Sequence, residues 1–381
     1  MSPRRSVLVL AFAASLAGSQ PEAESPTAYR VRTWSGRTID ARAIQFSTAA
    51  LTIETGNAQQ TLGWHEVHAI EGPRAADAAE QIALGKIVWR AGARLAKGDS
   101  FGAEPLFEQA FEQTRGTVGV TPAFVADGLL RCRLRRDARA AAIDAWLELS
   151  ANLSVAPARI PNWGLSSPAV DPATRLVPSL PPIWFDSAPA RAFANAITPE
   201  PSDQPGADAY AAAIRTLYRA AAQHAIGDPI DAAATARAAP IASERQGGAL
   251  VARVVLAQTG GPELRAEARE NLAREQSLGN ERWRSVWATL AIGRSLIREP
   301  DEADVRRGIL ELLSIHAVDP DALPYFTAIA LADAARAADA IGDDRAAAAI
   351  RDDLRRAYPQ HPVRDLPGLA ARPVRDPGVI P

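Results

Sequence analysis

A single cysteine, Cys132, stands in the 381 residues, so no internal disulfide can form and the chain must be held by packing. A basic excess is missing too. Against 42 Lys and Arg stand 44 Asp and Glu, a net charge of -2, and without surplus cations a protein cannot displace the counterions of a phosphate backbone. Nucleic acid is therefore excluded as the main ligand. Long apolar runs are absent as well: beyond the first residues no window approaches the roughly 20 apolar residues of a membrane-crossing helix. Nor is there a phosphate-cradling loop, a dinucleotide glycine fingerprint, a nucleophile elbow or a paired-cysteine motif. Gly116 and Gly119 are too close together for a phosphate loop, and no Lys follows them. His65-Glu66-Val67-His68 has one residue too few after the glutamate for the helical zinc-protease motif, so no metal or other cofactor is expected. Asp343-Asp344 and Asp352-Asp353 are adjacent on helices and diverge by about 100°, which does not make an acid/base couple.

What is present is ordinary globular material: 47% hydrophobic residues, about a fifth alanine, and far more arginine than lysine. Such a composition favours closely packed helices. Residues 1–19 run from Arg4-Arg5 through an apolar stretch to Ala17-Gly18-Ser19, the order of a secretory signal peptide. The expectation is an exported, periplasmic or extracellular protein, mildly acidic once the leader is removed.

Residues 20–72 form the next expected unit, and from Tyr29 to Gly72 short β-type runs alternate with turn residues. Four or five strands are predicted. Leu51, Ile53 and Thr55 alternate with Thr52 and Glu54 as in a half-buried strand. In the order and spacing of its runs the segment resembles a small SH3-like or Sm-like β-barrel module. That resemblance implies a surface for peptides, RNA or copies of itself; with only Arg30, Arg32, Arg37 and Arg42 on offer, RNA is set aside.

From residue 73 to 360 the pattern is helical, and it repeats. Ala96-Lys97-Gly98-Asp99, Ala225-Ile226-Gly227-Asp228 and Ala340-Ile341-Gly342-Asp343 are near-copies, each closing one helix through glycine and opening the next through an aspartate cap. Further breaks at Arg136-Asp137, Gly260-Gly261-Pro262 and Glu299-Pro300-Asp301 complete about six helical hairpins. Gly98, Ala103, Phe107 and Ala110, together with Gly342, Ala347 and Pro359, resemble the tetratricopeptide repeat, although Ala236 and Arg351 stand where that family carries an aromatic. The resemblance implies a mainly α fold, a right-handed α-solenoid of antiparallel helix hairpins whose concave face holds a protein or peptide. Val125, Leu129 and Cys132 share one helical stripe, so Cys132 is expected to be a buried hydrophobe rather than a nucleophile. Phe107 with Phe111, and Trp283 with Trp287, are expected to be core knobs.

Residues 155–206 interrupt the repeat with prolines, yet carry Trp163, Leu176, Val177, Leu180, Ile183, Trp184 and Phe185. A flexible linker would be polar, so this insertion is expected to lie as an extended strap across the solenoid, either as a permanent structural loop or as a plug that a partner displaces. Residues 361–381 are expected to be an extended or disordered tail. The function expected from these readings is a non-catalytic scaffold holding a protein or peptide. Its candidate binding residues are Arg90, Arg94, Arg215 and Arg219 for carboxylates, with Trp163, Ile183, Trp184 and Phe185 in the strap. Two alternatives stand beside it: an envelope hydrolase or lyase using Trp163 and Trp184 as a sugar platform, and a self-assembling subunit joined through the β module.

Overall fold

The structure is a computed structural model that describes residues 28–56, 58–155, 169–196, 208–277, 281–318 and 320–369. The expected leader, Trp163 and the chain beyond Leu369 lie outside these residues. Within them, six short strands precede thirteen α-helices.

Strands β1 (Tyr29–Thr33), β2 (Thr38–Ala41) and β6 (Val67–Glu71) form one antiparallel sheet with β1 in the middle. Strands β3 (Ala43–Phe46), β4 (Leu51–Thr55) and β5 (Ala58–Leu62) form a second with β4 in the middle. The two sheets meet at Arg42, the single residue between β2 and β3, whose amide donates to the Glu54 carbonyl at 2.8 Å. Among the described residues no ladder closes them into a barrel, and they stand as two small antiparallel sheets. Alternation sets their inner faces: Val31, Leu51, Ile53, Leu62, Val67 and Ile70 point inward around Trp64. Trp64 itself sits in a one-turn 3-10 helix before β6 and donates its indole N–H to Ser47 O at 2.8 Å.

The helices follow in side-by-side succession. The first four are α1 (Ala79–Ala96), α2 (Ser100–Thr114), α3 (Val120–Arg135) and α4 (Arg139–Val155). A short α5 (Ala188–Asn195) then stands inside the insertion, where no helix was expected. After it come α6 (Asp208–Ile226), α7 (Ala232–Ser243), α8 (Gln246–Thr259) and α9 (Pro262–Ser277). The last four are α10 (Arg282–Leu296), α11 (Glu302–Val318), α12 (Pro324–Ala340) and α13 (Asp344–Ala357). Neighbours in sequence pack together, and alternate helices also touch: α1 with α3, α6 with α8, α8 with α10.

The turn chemistry explains the breaks. Gly98, Gly227 and Gly342 have φ of 84°, 77° and 77°, left-handed values that only glycine adopts without strain. Asp99 and Asp343 then accept from the amides of Gly102 and Ala346 at 2.8 and 3.0 Å, capping α2 and α13. At the third turn the expected cap shifts. Asp231, not Asp228, accepts from Ala234 N at 2.8 Å, because the loop first carries Pro229 and then packs Ile230 against the core. Asp137 takes the left-handed position between α3 and α4 without glycine, at φ 58°.

Cys132 is buried, and burial pushes its thiol up to about 12, so it is no nucleophile. Two of the arginines near it are tied to carboxylates: Arg131 to Asp127 at 2.8 Å and the half-exposed Arg136 to Glu104 at 2.6 Å. Phe107, Phe111, Trp283 and Trp287 are core residues as expected.

The β module docks on the first helices through close polar and ring contacts. Thr121 Oγ1 on α3 accepts from Trp64 N at 2.9 Å, while Thr121 N donates to Ala49 O at 3.1 Å. His65 stacks on Phe124 with ring centroids 3.7 Å apart. Gly85 lets α1 approach so near that a β-carbon there would fall 2.2 Å from Trp64 O.

Candidate functional site

The prolines of the insertion dictate how it must be held. Pro178, Pro181 and Pro182 have no amide to donate, while every residue of the strap still presents a carbonyl. An extended, proline-bearing segment is therefore rich in acceptors and poor in donors. Buried without donors, those carbonyls would each cost about 1–3 kcal/mol.

The helices supply the donors as side chains. Trp146 Nε1 on α4 donates to Arg175 O at 2.8 Å, and Trp287 Nε1 on α10 donates to Pro178 O at 2.8 Å. The Arg139 guanidinium reaches Ser179 O, and the Tyr218 hydroxyl on α6 reaches Leu180 O. Gln258 Nε2 on α8 completes the set at Pro182 O, 3.2 Å away. Five side chains from four helices thus converge on one non-helical segment, which turns at Val177–Leu180. Leu176, Val177, Leu180, Ile183, Trp184 and Phe185 fill the same core as the helices around them.

The end of the strap also joins helices distant in sequence. Phe185 meets Tyr325 on α12 at 6.4 Å between ring centroids and His361 at 5.9 Å. Over the Tyr325 ring, 3.7 Å from its centroid, lies the guanidinium of Arg139 at the start of α4. Burial pushes the Arg139 pKa down, and that of His361 to about 4, with the Arg139 charge adding to the effect on the imidazole. His361 Nδ1 accepts from Val363 N at 3.1 Å, and Val363 and Leu369 are buried. Val363 and Leu369 thus pack onto the helical core, and the remainder of the expected tail lies outside the described residues.

The candidate residues fall into three groups. Ile183, Trp184 and Phe185 come together but face inward; Trp184, 7% exposed, stacks on Phe193 at 5.4 Å. Arg215 and Arg219 flank the same region and are engaged by the chain itself, Arg215 with Asp144 at 3.1 Å and Arg219 with the carbonyl of Ala196. Arg94 likewise holds Asp99 at 3.2 Å. Arg90 is exposed on α1, and Trp163 lies outside the described residues. With Trp184 buried, a sugar platform at that position has no open face.

Beside Arg90 is a feature the sequence reading missed. Trp89, 39% exposed, stacks on Trp34 of the β module with centroids 4.2 Å apart and planes inclined by 12°. His68 meets Trp34 edge-on at 4.3 Å. The only sequence signal was Trp34 at the end of a strand and Trp89 off the apolar stripe of α1; nothing in their spacing links them.

Among the described residues no group of three or more His, Cys, Asp or Glu could hold a metal ion, and no helix is long and apolar enough to cross a membrane. Cavities open on the surface among the described residues. The first, of about 320 Å³, is walled by the start of the strap, the end of α4 and the first turns of α6 and α8. The second, of about 370 Å³, lies between α10 and α11. Comparison with protein-family models, with curated proteins and with solved structures finds no match to this chain.

Proposed function

We propose that the protein is an exported, non-catalytic protein-binding scaffold, a right-handed tetratricopeptide-like solenoid wound around a permanent internal strap. Support for the solenoid comes from the alternate packing of α6, α8 and α10, and from the complete burial of Ala103, Phe107, Ala110 and Ala347 at the positions that family uses for packing. The observation that carries the functional reading is the strap itself. Its carbonyls occupy donors on α4, α6, α8 and α10 that would otherwise hold an extended partner. A partner is therefore received on the outside, and the exposed Trp89 stacked on Trp34, next to Arg90, is the surface with the right chemistry: a rigid aromatic platform beside a cation.

Crosslinking of the tagged protein in its native envelope, followed by mass spectrometry, tests this reading. The expected result is one reproducible partner crosslinked near α1 and the β module, lost in the Trp89→Ala, Arg90→Ala double variant. Crosslinks confined to the chain itself would remove the stable-partner role.

A further inference from the structure

Arginines at the two ends of the inner helices are treated differently. At the C-terminal ends of α8 and α10, where helix dipoles favour cations, Arg298 donates to the Gln258 carbonyl, Arg265 holds Glu299 at 3.1 Å, and Arg294 holds Asp333 at 2.6 Å. Each charge there has an acceptor. At the opposite end, Arg245 occupies the N-cap of α8 with extended backbone and no side-chain cap, a position whose dipole repels a cation. It makes no ion pair with any described residue; its guanidinium lies 4.2 Å from the centroid of the Tyr210 ring.

Here the first cavity opens. Arg245, Arg175, Tyr210, Ser150, Thr174 and Gly247 line it, and among the described residues none of its walls is Asp or Glu. The fold builds this proximity. Gly247 has no room for a β-carbon, which would fall 2.2 Å from Thr174 O, so the strap is pressed onto the first turn of α8 and Arg175 is delivered beside Arg245. Arg175 holds a left-handed backbone, φ 60°, with its carbonyl tied to Trp146 and its amide to Asp171 O at 2.8 Å. Both guanidinium charges act on the Tyr210 hydroxyl, lowering a pKa that burial raises. Two cations and a phenol thus share a cavity of about 320 Å³ at the positive ends of two helices, α6 and α8, while the Thr174 hydroxyl in its wall is held by Asp171 Oδ1 at 3.2 Å.

We propose that this cavity binds a small oxyanion, the carboxylate or phosphate group of a small molecule, between the guanidinium groups of Arg245 and Arg175 with the Tyr210 hydroxyl as a further donor. Guanidinium forks match the paired oxygens of either group, and the cation–π contact fixes the orientation of Arg245 before the ligand arrives. The site is separate from the exterior surface at Trp89 and does not depend on it.

The test is thermal melting and calorimetry of the full-length protein with inorganic phosphate, acetate and succinate, each against sodium chloride at matched ionic strength. A saturable rise in Tm and a 1:1 isotherm with at least one of the three, absent with chloride, is the expected result. Phosphate and carboxylate arms then rank the two chemistries. Arg245→Gln, at an exposed position, should melt as the wild type without ligand and bind about tenfold more weakly or worse. Tyr210→Phe should weaken binding less, and Arg90→Gln should leave it unchanged. No saturable response to any of the three anions overturns the proposal, as does equal affinity in Arg245→Gln.

Discussion

Among the described residues the β module and the strap up to Ser187 are both built without α-helix, and they are stabilised in opposite ways. The module satisfies most of its backbone within itself, through two antiparallel ladders, with Trp64 N and Ala49 O bonded to Thr121 of α3, and buries its own core around Trp64, whose indole N–H stays inside the module on Ser47. The strap has neither ladder nor core of its own. Its carbonyls take hydrogen bonds from Trp146, Tyr218, Gln258 and Trp287, and its apolar side chains complete a core whose larger part is helical. Non-helical chain is thus stable either by pairing with itself or by borrowing donors. Proline, which breaks the first arrangement, is harmless to the second because it leaves every carbonyl in place.

The largest way to break this contrast is at the borrowed donors. Trp287→Ala removes a fully buried indole that also holds Pro178 O, and should cost about 3–5 kcal/mol in urea unfolding. Trp287→Phe keeps a ring but orphans the carbonyl, for about 1–3 kcal/mol, and should speed hydrogen exchange in the strap. Trp64→Phe loses an equivalent bond, yet its effect on exchange should stay within the module. Next in size is Gly85→Ala, which drives a β-carbon towards Trp64 O and should cost about 1–3 kcal/mol by prising the module from α1 without touching the strap.

Acid sharpens the same contrast. Burial holds His65 down to about 3 and His224 and His361 to about 4, against an ordinary value near 6.5. Unfolded histidines take up protons as pH falls through about 6.5, while these folded ones stay neutral until about 4 or below. Stability conferred by the neutral rings is therefore fully present above about 6.5 and is lost as pH falls through that window. Each group contributes a slope of at most about 1.4 kcal/mol per pH unit. His361→Asn, which retains an acceptor for Val363 N, should flatten the stability–pH curve between those limits; an unchanged curve would show that His361 titrates normally. The smallest effects are at the caps. Asp99→Ala and Asp343→Ala should each cost about 1 kcal/mol, and Asp228→Ala close to nothing, since Asp231 caps α7.

What could be read from the sequence was whatever is satisfied locally. Glycine turns at Gly98, Gly227 and Gly342, the caps at Asp99 and Asp343, the alternation of β4 and the burial of Cys132 all follow from residues within a few positions of one another. The apolar side chains of the strap announced that it packs. Its donors did not announce themselves, because Trp146, Tyr218, Gln258 and Trp287 look like ordinary members of helical stripes, and only the fold aims their polar atoms at one peptide. The same holds for the Trp34–Trp89 stack and for the cavity of Arg175, Tyr210 and Arg245, each assembled from separate segments with no shared spacing. The partners of the candidate arginines were illegible for a related reason: arginine on an alanine-rich helix gives no sign of its acceptor, and Arg94, Arg215 and Arg219 are each held by an acceptor of the chain.

The central claim is that the strap is a permanent part of the interior rather than a plug. Native-state hydrogen exchange of the amides between Leu176 and Phe185, compared with those of α10, tests it most directly. The account predicts that the strap opens only with the surrounding helices, its amides exchanging as slowly as the core of α10 and through the same global unfolding. Exchange of the strap by an independent opening, orders of magnitude faster than α10, would contradict it and return the inner face to a displaceable partner.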